Sequence, residues 1–214
     1  MSTSLRTLLS TLVIVICAAP FVRADDKDDI KAAGKAFGDA MRSGDVVAAK
    51  KHVLTTEKSE KFLDVLADLT KAKNKLTDAS VAKFGEDGKG IVNQGPGMMA
   101  NSPTDHTFDD ADIEVKGDTA LVTPKAPAAK PVNFKKEGGE WKLDFTAVAS
   151  DTQMERGLPI MQKMATVMND TAAEIHDGKY ESVDAAKLGL RQKMIAALMP
   201  NGAPGGRPTA PPSN

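Results

Sequence analysis

From Ser59 to Phe84 the apolar residues Phe62, Val65, Leu66, Leu69, Ala72, Leu76, Ala79 and Phe84 recur at i, i+3, i+4 and i+7, with lysines and aspartates elsewhere. A 3.6-residue rhythm held over that length specifies one long amphipathic helix, because only a helix gathers those positions into a single stripe. Before it, Ile30, Ala33, Phe37, Ala40 and Met41 keep the same spacing, Gly44 follows as a stop, and Asp45 stands where the N-cap of a short second helix belongs. The run Asp25-Asp26-Lys27-Asp28-Asp29 lacks the spaced ligands and central glycine of a calcium loop, and reads as the solvated, acidic start of the first helix.

After Phe84 the pattern changes. Gly85 to His106 is rich in glycine and proline and reads as loop, with a short strand at Ile91-Val92; Gly88-x-Gly90 lacks the flanking strand and helix of a nucleotide loop. Two hairpins follow. Ile113 to Val115 and Ala120 to Val122 flank Gly117-Asp118, and Val132 to Lys136 and Trp141 to Phe145 flank Gly138-Gly139, both two-residue turns suited to positive φ. Pairing across them sets Ile113 and Val115 opposite Val122 and Ala120, and Val132 and Phe134 opposite Phe145 and Leu143, so each hairpin has one apolar face. The other face of the second hairpin brings Lys135 opposite Lys142 and is expected to be wet. Asp151 to His176 and Ser182 to Leu198 read as two further helices, with Pro159 starting a fresh helix or kinking the longer one.

The first 24 residues read as an address. Arg6, the apolar run Leu8 to Ala19, and Val22-Arg23-Ala24 before Asp25 form a secretory signal cleaved after Ala24. The run is shorter than the ~20 residues a bilayer-spanning helix needs, so no integral membrane association is expected. The expected destination is the periplasm, the cell envelope or the exterior. Cys17 is the only cysteine and lies in this leader, which excludes disulfides, thiolate catalysis and cysteine metal sites from the exported chain. Losing Arg6 and Arg23 leaves an acidic excess, and no nucleic-acid partner is expected. The expected organisation is a signal over residues 1–24, a single α+β domain over 25–199, and a disordered Pro/Gly-rich tail over 200–214. Within the domain, residues 30–148 form the core and 151–198 a C-terminal helical extension.

The order of helix, Ser43-Gly44-Asp45 turn, short helix and long helix, then strands carrying Val115 to Val122 and Lys135 to Phe145, resembles the nuclear-transport-factor-like superfamily. Ketosteroid-isomerase-like and polyketide-cyclase-like domains belong to it. The resemblance implies a cone in which helices pack on a curved antiparallel sheet around a pocket. Its isomerase-type members pair an acidic base with a tyrosine donor, yet the only tyrosine here, Tyr180, lies in the appended helices. Those helices stand where the family often ends on a strand.

Few residues suggest chemistry. His52, His106 and His176 are widely spaced and belong to no zinc motif, no serine sits in a nucleophile motif, and neither metal nor cofactor is expected. Met154, Met161, Met164 and Met168 have a spacing that suits soft copper(I) ligation, but Met161, Met164 and Met168 read first as a core stripe with Val167 and Ile175. Met98-Met99 suits an adaptable contact surface. Lys125, Lys130, Lys135, Lys136 and Lys142 form either a basic patch for an anionic partner or a soluble strand surface. Asn169-Asp170-Thr171 matches a glycosylation sequon on a helix.

The reading is therefore an exported, non-catalytic binding domain. Phe37, Met41, Phe134, Trp141 and Leu143 line its candidate pocket, which faces a small apolar ligand or an envelope protein. No catalytic residue is assigned. An isomerase-like or cyclase-like alternative needs a carboxylate in that cleft, from Asp112, Glu114 or Asp144. A third alternative is a scaffold that presents Val183, Ala186, Leu190, Met194 and Leu198 of the last helix to a partner.

Overall fold

The computed structural model describes residues 24–94, 108–125, 130–147 and 151–199. Helix α1, Ala24–Ser43, ends at Gly44, whose φ of 75° suits a residue without a side chain. Asp45 then accepts a hydrogen bond from the Ala48 amide (2.9 Å) and caps α2, Val46–Lys50. A two-residue strand, β1 (Val53–Leu54), leads to Thr56. There Thr56 and Ser59 form a reciprocal capping box, each backbone amide donating to the other's hydroxyl, and α3 begins, Glu57–Phe84. At 28 residues and ~1.5 Å per residue, α3 is about 42 Å long and serves as the spine of the molecule.

Two glycines turn the chain back along α3. Gly85 takes φ 68° just past the helix end, and Gly88 lies so close that an added Cβ would be 2.2 Å from the Ser80 carbonyl oxygen. The segment Gly85–Gln94 is a 3₁₀ helix, which corrects the expectation of a strand at Ile91-Val92. In a strand those neighbours would face opposite sides, whereas here both are buried in one apolar cluster.

The hairpins are β2 (Asp112–Lys116) with β3 (Thr119–Thr123), and β4 (Val132–Glu137) with β5 (Glu140–Asp144). The glycine turns fix their registers: Ile113 faces Val122, Val115 faces Ala120, Phe134 faces Leu143, and Lys135 faces Lys142. Val132 departs from expectation by pairing with Val122 of β3, while Phe145 enters a short 3₁₀ turn, Phe145–Ala147, and reaches the core from there. The five strands run in the order β1-β5-β4-β3-β2, with β1 parallel to β5 and every other pair antiparallel. Two long helices follow: α4, Asp151–His176, continuous through Pro159, and α5, Val183–Leu198, capped by Ser182. The class is α+β.

Two apolar cores divide the molecule. The first joins α1, α2 and the start of α3 to the inner face of the sheet, through Ile30, Phe37, Met41, Leu63, Ala67, Val122, Phe134 and Leu143. The second is wholly helical, joining the later part of α3 through Leu69, Ala72 and Leu76 to Ile91, α4 and α5. Helix α3 is thus apolar on two sides and belongs to both cores. Lys58 of α3 also pairs with Glu155 of α4 at 2.9 Å, an exposed contact worth little beside the burial.

Candidate interaction surface

The five residues of the expected pocket are brought together, but as core. Relative exposure is 1 % at Phe37, 0 % at Met41, 1 % at Phe134, 4 % at Trp141 and 1 % at Leu143. Side chains with so little accessible surface do not border a space that admits a ligand. Phe145 closes one end of this layer against Phe37 and Phe62, with ring centroids 6.3 and 6.1 Å apart, and Phe108 packs edge-on against Phe134 at 5.8 Å.

The edge of this core holds a polar contact hidden in the acidic leader. Asp26 is buried, and its Oδ1 accepts from the Trp141 indole N–H at 3.0 Å and from the Lys136 ammonium at 2.7 Å. Lys136 also lies 5.4 Å from the Trp141 ring centroid. The first turn of α1 is therefore pinned to the β4–β5 hairpin. A buried tryptophan needs a hydrogen-bond acceptor, and that requirement is the only sequence signal pointing to this anchor.

The other charged candidates lie on the outer face of the sheet. Asp112 and Glu114 are exposed, and Asp144 is half-buried and accepts from the Thr146 amide at 3.1 Å and its hydroxyl at 2.5 Å. None of the three reaches the apolar face. The lysines do not make one patch: Lys136 turns inward to Asp26, Lys142 pairs with Glu137 at 2.9 Å, and Lys125 approaches Asp112 at 3.9 Å. The Lys142 ammonium holds the Glu137 carboxyl below its ordinary range. Beside them lies an open groove of about 390 Å³, lined by Val53, Leu54, Thr55, Lys135, Glu137, Asp144 and Thr146. It is polar and offers no enclosed apolar wall of the kind small-molecule sites use.

Among the described residues no cluster of histidine, cysteine and carboxylates is arranged to hold a metal. His52 lies between α2 and β1, where its carbonyl accepts from the Leu143 amide at 2.9 Å, and His176 is exposed at the end of α4 beside Asp177. Met154, Met164 and Met168 are buried, with Met161 half-buried; Met164 and Met168 belong to the helical core. His106, Met98-Met99 and the tail over 200–214 lie outside the described residues. Among the described residues no helix is long and apolar enough to cross a membrane.

Tyr180 fastens α4 to α5. Its ring lies directly on Gly189, where an added Cβ would be 2.5 Å from the hydroxyl, and that hydroxyl donates to Glu174 Oε2 at 2.7 Å. Lys179 reaches Glu174 Oε1 at 2.6 Å, and Lys193 of α5 donates to Oε2. Hydrogen bonds from Lys179, Lys193 and Tyr180 hold the Glu174 carboxyl down at about 2. Burial, then the bond to Glu174, pushes the Tyr180 phenol up to about 12. The sole tyrosine is therefore a structural clamp on an ionised glutamate.

Helix α5 buries the face read from its periodicity: Ala186, Leu190 and Met194 are in the helical core, and Val183 and Leu198 pack against it. That face is not free for a partner. Leu188 and Ile195, on the opposite side of the helix, and Met199, at its C-cap, are 56 %, 44 % and 58 % exposed. Ala185, Gln192 and Ala196 lie beside them, also exposed. A helix apolar on opposite sides belongs in an environment that covers both. No protein-family model, curated protein or solved structure matches this chain.

Proposed function

We propose that this protein is an exported, non-catalytic interaction domain that meets another polypeptide through its exterior. The observation that supports this most is the outward face of α5, where Leu188 and Ile195, with Met199 at the C-cap, stand in solvent opposite a face packed into the helical core. Scattered exposed apolar residues are ordinary, but large ones gathered on one side of a helix and at its end favour a contact surface.

The nuclear-transport-factor-like resemblance belongs to the same reading. Its support is the order of elements: a helix, a short capped helix, a long helix, and antiparallel hairpins whose inner face meets the first helix. In this proposal the cone is a scaffold, its pocket positions occupied by its own core. The near-zero exposure of Phe37, Met41, Phe134 and Leu143 favours that over a small-ligand site. The outward placement of Asp112, Glu114 and Asp144, and the engagement of Tyr180 by Glu174, weigh against isomerase-type proton transfer. Export rests on Arg6, the apolar run to Ala19 and the Val22-Arg23-Ala24 junction.

A photo-crosslinking amino acid at position 188 tests this in cells that make the protein. The expected result is a polypeptide adduct in the exported fraction. No adduct, together with a bound small molecule in native mass spectra of the purified protein, contradicts the proposal.

A further inference from the structure

On the reading that residues 1–24 are an export signal, we infer that the first turn of α1 is a latch over the processing junction. It leaves the Ala24–Asp25 bond open to cleavage during export and shuts that bond away once the β4–β5 hairpin has docked on it. Removal of the leader then has to precede closure of the fold.

Two observations meet at this junction. Helix α1 begins at Ala24, so the peptide unit joining it to Asp25 lies inside the first helical turn. A protease engages its substrate as an extended strand, and a helical turn does not offer that backbone course. The second observation is what holds the turn. Asp26 is the one buried charged side chain among the described residues, and it accepts from the Lys136 ammonium at 2.7 Å and from the Trp141 indole N–H at 3.0 Å. Opening the turn far enough to extend residues 24 and 25 pulls Asp26 away from both donors. Trp141, only 4 % exposed, then loses the acceptor its buried N–H requires.

The sequence separation sets the order of events. The two donors lie 110 and 115 residues beyond Asp26. Until they arrive, nothing compensates burial of the carboxylate, and a first helical turn, whose amides have no partner within the helix, frays in solvent. A chain led out by its signal thus exposes the junction well before residues 136 and 141 can reach it. Contacts that close a loop of more than a hundred residues also form late, because the chain entropy must be overcome first. Once the latch is shut, cleavage depends on the small population in which the first turn has opened locally.

The test is cleavage of the full 214-residue chain by a purified signal peptidase, with the substrate either folded or freshly diluted from urea. The unfolded chain is expected to be cut after Ala24, and the folded chain at least about tenfold more slowly. Trp141→Phe with Lys136→Met keeps an aromatic ring and an aliphatic stem but removes both donors, and is expected to speed cleavage of the folded chain about tenfold or more. Both positions are remote from the junction in sequence, so the unfolded rate stays at the parent value. If the double variant has no cooperative urea transition, Trp141→Phe alone carries the comparison. Leu76→Ala, which weakens the helical core instead, is expected to leave the folded-chain rate within about twofold of the parent. Equal cleavage of folded and unfolded chains, no acceleration on removing the donors, or equal acceleration by Leu76→Ala overturns the latch and leaves the export signal standing. An unfolded chain that is not cut after Ala24 removes the two together.

Discussion

Helices α3 and α5 pose the same physical problem and meet different outcomes. Each is apolar on two sides. Helix α3 gives Leu63 and Ala67 to the sheet core and Leu69, Ala72 and Leu76 to the helical core, so both sides are covered by the protein itself. Helix α5 gives Ala186, Leu190 and Met194 to the helical core and leaves Leu188 and Ile195 in solvent, beside Met199 at its C-cap. The difference teaches that apolar pattern alone does not mark core. What decides is whether a second layer is present, and for α3 that layer is the sheet.

The comparison predicts unequal costs for equal chemistry. Leu63→Ala and Leu76→Ala each remove a fully buried side chain from one of the two cores, and each is expected to cost about 2–5 kcal/mol of unfolding free energy. Leu188→Ala is expected to stay within about 0.5 kcal/mol. Urea unfolding followed by the fluorescence of the sole tryptophan, Trp141, measures all three. A loss at Leu188 as large as at Leu63 breaks the comparison.

The α4–α5 clamp supplies a smaller effect with a defined pH window. The Glu174 carboxyl is held at about 2 against an ordinary 4.5, so its contribution is complete above pH 4.5 and is lost as the pH falls through about 2. Glu174→Gln is expected to cost about 1–3 kcal/mol at neutral pH and to flatten the acid limb of the stability profile. At the other end, Tyr180 is raised from 10.0 to about 12, so stability is complete below pH 10 and declines as the pH rises through about 12. Because Tyr180 is the only tyrosine, the absorbance of tyrosinate reports it alone. A folded-state midpoint near 10 contradicts the clamp.

Much of the fold is legible where short-range rules act. The glycine turns fix the hairpin registers, Asp45 caps α2, and a strict period specifies α3, α4 and α5. Three features escape such rules. Strand β1 has two residues and no period, and its partner β5 lies far along the chain. Asp26 sits in a run whose local composition spells solvent, and only the contact with Trp141 and Lys136 makes its burial tolerable. The second sides of α3 and α5 are hidden because a period identifies one stripe, and Leu63 or Leu188 then counts as an exception to it. Even the expected pocket is legible as a set: Phe37, Met41, Phe134, Trp141 and Leu143 do converge, and their near-zero exposure makes them core.

The most direct test of the central claim, that the outward face of α5 is no part of the protein's own core, is the stability of Leu188→Glu/Ile195→Glu in dilute solution. Two glutamates placed on an uncovered face are expected to leave the unfolding free energy within about 0.5 kcal/mol of the parent and the urea slope unchanged. A loss of several kcal/mol would mean that the chain covers this face itself, and that α5 is buried on both sides as α3 is.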